Sequence, residues 1–192
     1  HIAPVGFEID RIVIPAIEYN ADKVYLLVHN NKAEDKAGAY ITRITDELKK
    51  NKIETEKVFA NWRDVESITK EARKLFLELA GNDIYVNIAS GSKNHAIALD
   101  RAIMTLGDQS NIIEFYAESE AYEGFKPGKQ QLSKGVREVK EIPKRKMVLP
   151  DNKLLGAMTI IRDYNETERG CTRTCKKDHK HIQKKIKKKQ LA

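Results

Sequence analysis

Short apolar runs alternate with longer amphipathic segments through residues 1–116 of this 192-residue chain. Runs such as VYLLV at residues 24–28 predict strands, because they are short, rich in β-branched residues and bounded by polar positions. Between the runs, apolar residues recur every three or four positions, as amphipathic helices require. The pattern predicts a helix after each of the first four strands, and five strands in all, at residues 2–5, 24–28, 53–59, 84–88 and 112–116.

Strands separated by helices predict right-handed βαβ units and a sheet covered by helices on both faces. Residues 136–142 alternate like a further strand, which we expect to lie antiparallel to the fifth. The predicted fold class is therefore α/β. It is a three-layer Rossmann-like sheet, mostly parallel, with a C-terminal antiparallel strand and a short helical, basic C-terminal extension.

The predicted domains are a sheet domain over residues 1–142, a linker over residues 143–152, and a helix with a basic tail over residues 153–192. Residues 151–192 hold 12 basic and 5 acidic side chains, a net of +7, which leaves 23 of each sign in residues 1–150. A neutral body with a basic extension predicts a sensor or an enzyme joined to an element that binds nucleic acid. The candidate contacts are the tail lysines Lys184, Lys185, Lys187, Lys188 and Lys189.

Residues 90–94, with the sequence SGSKN, lie between the fourth predicted strand and a helix. A small-residue turn at a helix start leaves backbone N–H groups, hydroxyls, an amide and an ammonium free to converge on an anion. In doubly wound sheets the ligand lies beyond the carboxyl ends of the strands, where the strand order reverses. The loop after the first strand, with Gly6 and Asp10, should therefore face residues 90–94 across the site.

The segments VGFEIDRI and NIASGSKNHAIALDRA together resemble the CRISPR-associated Rossmann-fold domain. Within that superfamily the chain is most similar to archaeal regulators that join such a sensor to a C-terminal winged helix-turn-helix. The resemblance covers residues 1–142 and implies a homodimer that binds a cyclic oligoadenylate on its symmetry axis. The ligand-binding residues that it implies are Gly6, Phe7, Asp10, Ser90, Gly91, Ser92, Lys93 and Asn94.

Each of these residues also has a purely structural interpretation. On its own, a turn such as residues 90–94 is more often a simple helix cap than a ligand site, and Lys93 is also typical of a solvated lysine in the first turn. Asp10 and Arg11 are typical of helix-capping charge. We expect Trp62 to be a partly buried anchor rather than a platform for a nucleobase, and His95 to be a hydrogen-bonded histidine of the core or of an interface. Residues 29–31 are interpreted as an ordinary loop.

The chain lacks the Gly-x-Gly-x-x-Gly, Walker, His-Glu-x-x-His and Gly-x-Ser-x-Gly motifs, so no cofactor is predicted. Two main hypotheses remain. The first is a dimeric regulator that senses a nucleotide and binds DNA, and the second is a hydrolase of the ring-nuclease type that cleaves cyclic oligoadenylate. The regulator is favoured, because an enzyme would rest on unassigned polar residues. A Rossmann-like interaction domain without a ligand is the third possibility.

Apolar residues at helical spacing predict a helix that ends near residue 165 and would begin a DNA-binding domain, namely Leu154, Leu155, Met158 and Ile161. Only 42 residues remain from residue 151, and few are apolar, so we expect a truncated or altered C-terminus. Four potential metal ligands are too crowded for a standard zinc finger, so no metal is predicted at Cys171, Cys175, His179 and His181. No segment is apolar enough to span a membrane, and the cysteine usage predicts a cytoplasmic location.

Overall fold

A computed structural model of the chain describes residues 1–106, 111–123, 131–144 and 151–170, with the backbone alone for residues 165–170. Two compact units are present, His1–Met147 and Val148–Ala192. The first unit contains the sheet and the candidate site. The second contains one helix within the described residues.

The first unit is built on a six-stranded sheet with the strand order β3-β2-β1-β4-β5-β8. Strands β1 to β5 are parallel, and β8 pairs antiparallel with β5, as the alternation in residues 136–142 predicted. The predicted Rossmann-like fold class is thus confirmed. The strands are β1 (Ile2–Pro4), β2 (Lys23–His29), β3 (Glu54–Ala60), β4 (Ile84–Asn87), β5 (Ile112–Glu118) and β8 (Glu138–Glu141).

Helices cover both faces of the sheet, because β1 and β2 bury alternate residues in two separate cores. Ala3 and Leu26 pack with α1 (Asp10–Glu18) and α2 (Gly38–Lys50). Their neighbours Ile2 and Leu27 pack with helices on the opposite face, α3 (Val65–Glu78) and α4 (Lys93–Met104). The period of two along a strand thus produces the predicted three layers.

Helix starts follow local hydrogen bonding. Asp64 caps α3, because its carboxylate accepts a hydrogen bond from the N–H of Glu66 at 3.0 Å. Helix α1 begins at Asp10, and the N–H groups of Ile9 and Asp10 both donate to the side-chain oxygen of Gln131, at 2.9 Å each.

The stretch between β5 and β8 contains a small hairpin that the sequence pattern missed. Strands β6 (Ala121–Tyr122) and β7 (Ser133–Lys134) pair antiparallel in a sheet of their own. Two residues per strand are too few to show a period of two. Most of the predicted loop at residues 123–128 lies outside the described residues.

The second unit holds α5 (Asn152–Gly170), which extends five residues beyond its predicted end. The predicted apolar stripe on it is exposed within this unit, at Leu154, Leu155, Met158 and Ile161. Most of the predicted linker (residues 145–150) and the whole of residues 171–192 lie outside the described residues, so the five candidate tail lysines and the possible zinc ligands do too. Among the described helices, none combines the length and the apolar character needed to cross a membrane.

Candidate functional site

The strand order reverses between β1 and β4, and the loops after these two strands touch there. A Cβ placed on Gly6 would lie 3.1 Å from the Cα of Gly91. Gly91 has a positive φ of 76°, and a Cβ on it would lie 2.7 Å from the Cβ of Pro4. The two backbones approach so closely that neither position has room for a side chain. The sequence-based expectation that these two loops face each other agrees with this geometry.

We call residues 90–94 the serine turn. Hydrogen bonds at the start of α4 fix its position. Ser92 is the N-cap residue, and its N–H donates to Nδ1 of His95 at 3.1 Å, while its Oγ lies 2.9 Å from the same nitrogen. This is a capping box with histidine at the third helical position. The structural interpretation of the turn as a helix cap is therefore correct, and it still leaves Lys93 exposed in the first turn of the helix.

Two groups of the serine turn lie deeper. Ser90 is 2% exposed, and its Oγ has no hydrogen-bond partner in the part of the chain that the structure describes. The side-chain amide of Asn94 donates to the carbonyl of Trp62 at 3.0 Å, which ties the turn to the loop after β3. Lys93 is thus exposed in the serine turn, as are the uncharged Gly91 and Ser92 beside it, whereas Asn94 has a structural role.

His95 belongs to an aromatic cluster in which Trp62 is the central ring. Its ring meets Trp62 edge-on at 6.0 Å between centroids, and Trp62 lies 5.0 Å from the ring of His29. Trp62 is a half-buried anchor and His95 is a hydrogen-bonded core histidine, as predicted. The interpretation of His29 as a loop residue is wrong, because it ends β2 and is buried.

The first loop, which we define as residues 5–10 and which therefore includes the first residue of α1, is covered by residues 131–135. Besides the two hydrogen bonds that the Gln131 side-chain oxygen accepts, the N–H of Leu132 donates to the carbonyl of Phe7 at 3.0 Å, and the N–H of Gly135 donates to the carboxylate of Asp10 at 2.8 Å. The ring of Phe7 contacts the ring of Tyr40, with centroids 5.3 Å apart. Asp10 and Phe7 therefore have partners within the protein, and the N-terminus of α1 is filled by an amide oxygen.

A buried ion pair lies beneath this cover. Arg11 and Glu8 are both less than a tenth exposed, and the Arg11 NH1 group is 3.7 Å from the Glu8 carboxylate. The Nε of Arg11 donates to the carbonyl of Ala117 at 2.8 Å, and the Ser133 hydroxyl donates to Glu8 at 2.5 Å. Arg11 is therefore a core residue, and its interpretation as helix-capping charge is wrong.

Asn87, the last residue of β4, connects α1 to the residues just before the serine turn. Its side-chain amide donates to the carbonyl of Arg11 at 2.7 Å, and its side-chain oxygen accepts from the N–H of Ala89 at 2.8 Å. The sequence analysis missed this residue, together with Gln131 and Ser133. A polar residue at the end of an otherwise apolar strand is the signal that indicates Asn87.

The electrostatic character of the site is uneven. At the first loop, the Glu8 carboxylate is paired with Arg11, and the Asp10 carboxylate accepts a hydrogen bond from Gly135. The serine turn instead carries the exposed Lys93 and the N-terminal end of the α4 dipole, so an anion is favoured there. Within the described residues, no cluster of histidine, cysteine or acidic side chains is suited to hold a metal ion.

Two buried groups are expected to give opposite pH dependences of stability. Burial, with the nearby His29, lowers the pKa of His95 from 6.5 to about 4, so it adds stability as pH rises between those values. Burial, with the nearby Asp100, raises the pKa of Glu114 from 4.5 to about 7, so it removes stability as pH rises over that range.

Glu114→Gln removes one of these two effects and should reveal the other. We expect the free energy of unfolding of this variant to rise with pH between pH 5 and 6.5, by up to about 1.4 kcal/mol per pH unit. The wild-type protein should be flatter, because Glu114 opposes His95. Urea unfolding at several pH values measures both slopes, and equal slopes would contradict the assignment.

These features define a class of protein, namely Rossmann-like domains in which the loops after the first and fourth strands meet at the reversal of the strand order. The chain belongs to the family described as "HFX_2341_N:-like, N-terminal", whose model matches residues 1–122. It is also 30% identical, over 184 residues, to Uncharacterized protein MJ1513 of Methanocaldococcus jannaschii. That match includes 84% of this chain and 55% of the relative, so the chain spans about half the length of this curated relative.

Solved structures share the fold at low sequence identity. The match to Can2 from Sulfobacillus thermosulfidooxidans, in complex with cyclic tetra-adenylate, covers 62% of this chain and 32% of the Can2 chain, with a TM-score of 0.51 and 16% identity. The match to protein VC1899 from Vibrio cholerae covers 69% of this chain and 35% of that chain, with a TM-score of 0.52 and 15% identity. The match to Enterococcus italicus Csm6, bound to cyclic hexa-2'-fluoro-hexa-dAMP, covers 99% of this chain and 53% of the Csm6 chain, with a TM-score of 0.51 and 11% identity. The chain thus shares its fold with these three proteins, which agrees with the Rossmann-like fold that the sequence predicted.

Proposed function

We propose that the first unit binds a cyclic oligoadenylate or a related nucleotide, and that the protein is a dimeric, ligand-sensing regulator of transcription. The observation that carries this proposal is the contact between Gly6 and Gly91 at the reversal of the strand order. Two loops that meet without side chains allow a ligand to approach the backbone of both. Beside that contact, the serine turn and Lys93 supply donors for a phosphate.

The chemistry of the turn favours a phosphodiester over a neutral ligand. The first amides of α4 and the exposed ammonium of Lys93 both belong to the first turn of that helix, and both attract negative charge. Ser90 adds a buried hydroxyl that has no partner among the described residues. Because the N-terminus of α1 is filled by Gln131, the first loop is left to contact uncharged parts of the ligand, with the carboxylate of Asp10 as a hydrogen-bond acceptor.

Two proteins with this fold have been solved with cyclic oligonucleotides, Can2 with cyclic tetra-adenylate and Csm6 with a cyclic hexanucleotide analogue. They support the choice of ligand class. The regulatory part of the proposal is supported by the charge of residues 151–192, a net of +7, which suits a polyanion such as DNA. Dimerisation would place two copies of the site together, which suits a symmetric cyclic ligand.

Replacing Lys93 by alanine should weaken binding of cyclic tetra-adenylate about tenfold, because one charge-assisted contact to phosphate is lost. The measurement is isothermal titration calorimetry on the full chain. Lys49→Ala is the matched control. Lys49 is an exposed lysine near the end of α2, just before the amino end of β3, whereas the site lies beyond the carboxyl ends of β1 and β4. We expect this variant to bind like the wild type.

Chromatography of the ligand after long incubation separates sensing from hydrolysis. Intact cyclic tetra-adenylate supports a sensor, whereas a linear product would favour the ring-nuclease hypothesis. If neither cyclic tetra-adenylate nor cyclic hexa-adenylate binds to the wild-type protein, the proposed ligand class is wrong.

A further inference from the structure

The imidazole of His95 is fixed in one chemical state by the serine turn. A backbone N–H is always a donor, so the hydrogen bond from the Ser92 N–H at 3.1 Å requires Nδ1 of His95 to carry a lone pair. A charged ring carries a proton on both nitrogens and could not accept this hydrogen bond. The ring is therefore neutral, and its proton lies on Nε2. The Ser92 hydroxyl, 2.9 Å from the same nitrogen, is placed to donate to it as well.

The surrounding structure leaves this ring no other position. His95 is 1% exposed, and Trp62 closes one side of it edge-on. On the other side, a Cβ added to Gly91 would lie 3.1 Å from Nδ1, so the imidazole lies directly beneath the serine turn. Because the ring is confined, the hydrogen bond that its Nδ1 accepts also fixes the backbone of Ser92.

No carboxylate is in ion-pair contact with His95 within the described residues, so nothing there stabilises a charged ring. The nearest titratable group facing it is His29, across Trp62. The Nε2 of His29 lies 3.7 Å from Glu34, and Glu34 also pairs with Arg63 at 3.1 Å. The Glu34 carboxylate is therefore paired with His29 and Arg63, and His95 remains a neutral hydrogen-bond acceptor.

We propose that His95 is a positioning residue of the ligand site: its Nδ1 holds Ser92 in the N-cap, so that the first amides of α4 and the Lys93 ammonium face a bound phosphate. This inference rests on the proposed function and assigns a role that His95 has without touching the ligand. The ring performs the task that glutamate or glutamine performs at the third helical position of other capping boxes.

Glutamine and leucine at position 95 separate the proposed role from mere core packing. His95→Gln restores an acceptor for the Ser92 N–H, whereas His95→Leu fills the space without one. Calorimetry with cyclic tetra-adenylate should show affinity within about threefold of wild type for the glutamine variant and a loss of at least about tenfold for the leucine variant. Ala102→Gly, in the same helix but away from the turn, is the control: it should lower the melting temperature and leave the affinity unchanged.

Three outcomes overturn the inference while leaving the proposed function intact: a folded leucine variant that binds like wild type, a glutamine variant as weak as the leucine variant, or an Ala102→Gly variant that loses affinity in proportion to its stability. Nitrogen NMR of the imidazole adds a test that needs no ligand, since a proton on Nδ1 would contradict the proposed hydrogen bond. Failure of the wild-type protein to bind any cyclic oligoadenylate would instead remove the proposed function, and this inference with it.

Discussion

Replacing Gly91 by alanine should abolish detectable binding of cyclic tetra-adenylate and lower the free energy of unfolding by about 3 kcal/mol. Two costs combine at this position. The backbone has φ +76°, which is unfavourable for an L-residue by about 1–2 kcal/mol, and the new Cβ would lie 2.7 Å from the Cβ of Pro4. Because Pro4 belongs to β1 in the middle of the sheet, the serine turn must move away from the first loop, and the site opens.

Gly81 provides the matched control for this prediction. It also has a positive φ, +93°, but a Cβ added there meets nothing within 4 Å, and the residue lies before β4 rather than after it. Gly81→Ala should therefore show the backbone cost alone, about 1–2 kcal/mol, and bind the ligand normally. Calorimetric titration and urea unfolding of both variants give the comparison. Equal losses of stability, or normal binding by Gly91→Ala, would show that the close approach does not form the site.

The sheet and its helices could be predicted because each element has its own period. The apolar runs place β2 and β4 within a residue or two, and the helical stripes locate α2 and α3. Once the elements are ordered along the chain, the handedness of βαβ units leaves few topologies, so the strand reversal follows. The topology thus predicts that the loop with Gly6 faces residues 90–94, whereas the close approach of Gly6 to Gly91 is seen only in the structure.

The cover over the first loop could not be predicted, since it joins residues that lie far apart in sequence. Gln131 and Gly135 bind loop residues that are 121 to 125 positions away, and their neighbours show no periodic pattern. Arg11 was misassigned for a related reason. Beside Asp10 at a helix start it looks like exposed charge, and only its hydrogen bond to the carbonyl of Ala117, 106 positions away, shows that it is part of the core. Long-range polar contacts of this kind leave no local signal in one sequence.

The Glu8–Arg11 pair has to be intact for the first loop to fold as it does. Charge burial of this kind is costly, and it is tolerated only when both partners and their hydrogen bonds are in place. Glu8 also accepts from the N–H and the hydroxyl of Ser133, so it joins the first loop, α1 and the β6–β7 hairpin. Removing its charge while keeping its oxygen would separate the electrostatic contribution from the hydrogen bonds.

Glu8→Gln should therefore lower the free energy of unfolding by about 3 kcal/mol, because the guanidinium of Arg11 is left buried without a counter-charge. Urea unfolding measures the loss. Glu47→Gln is the matched control: Glu47 pairs with Lys50 at the shorter distance of 2.8 Å but at an exposed position, and we expect no measurable change. A second variant, Glu8→Gln combined with Arg11→Met, should recover part of the stability, because no buried charge remains. If Glu8→Gln lowers the free energy of unfolding no more than Glu47→Gln does, the Glu8 carboxylate does not stabilise Arg11. The first loop would then be stabilised by the hydrogen bonds of residues 131–135 alone.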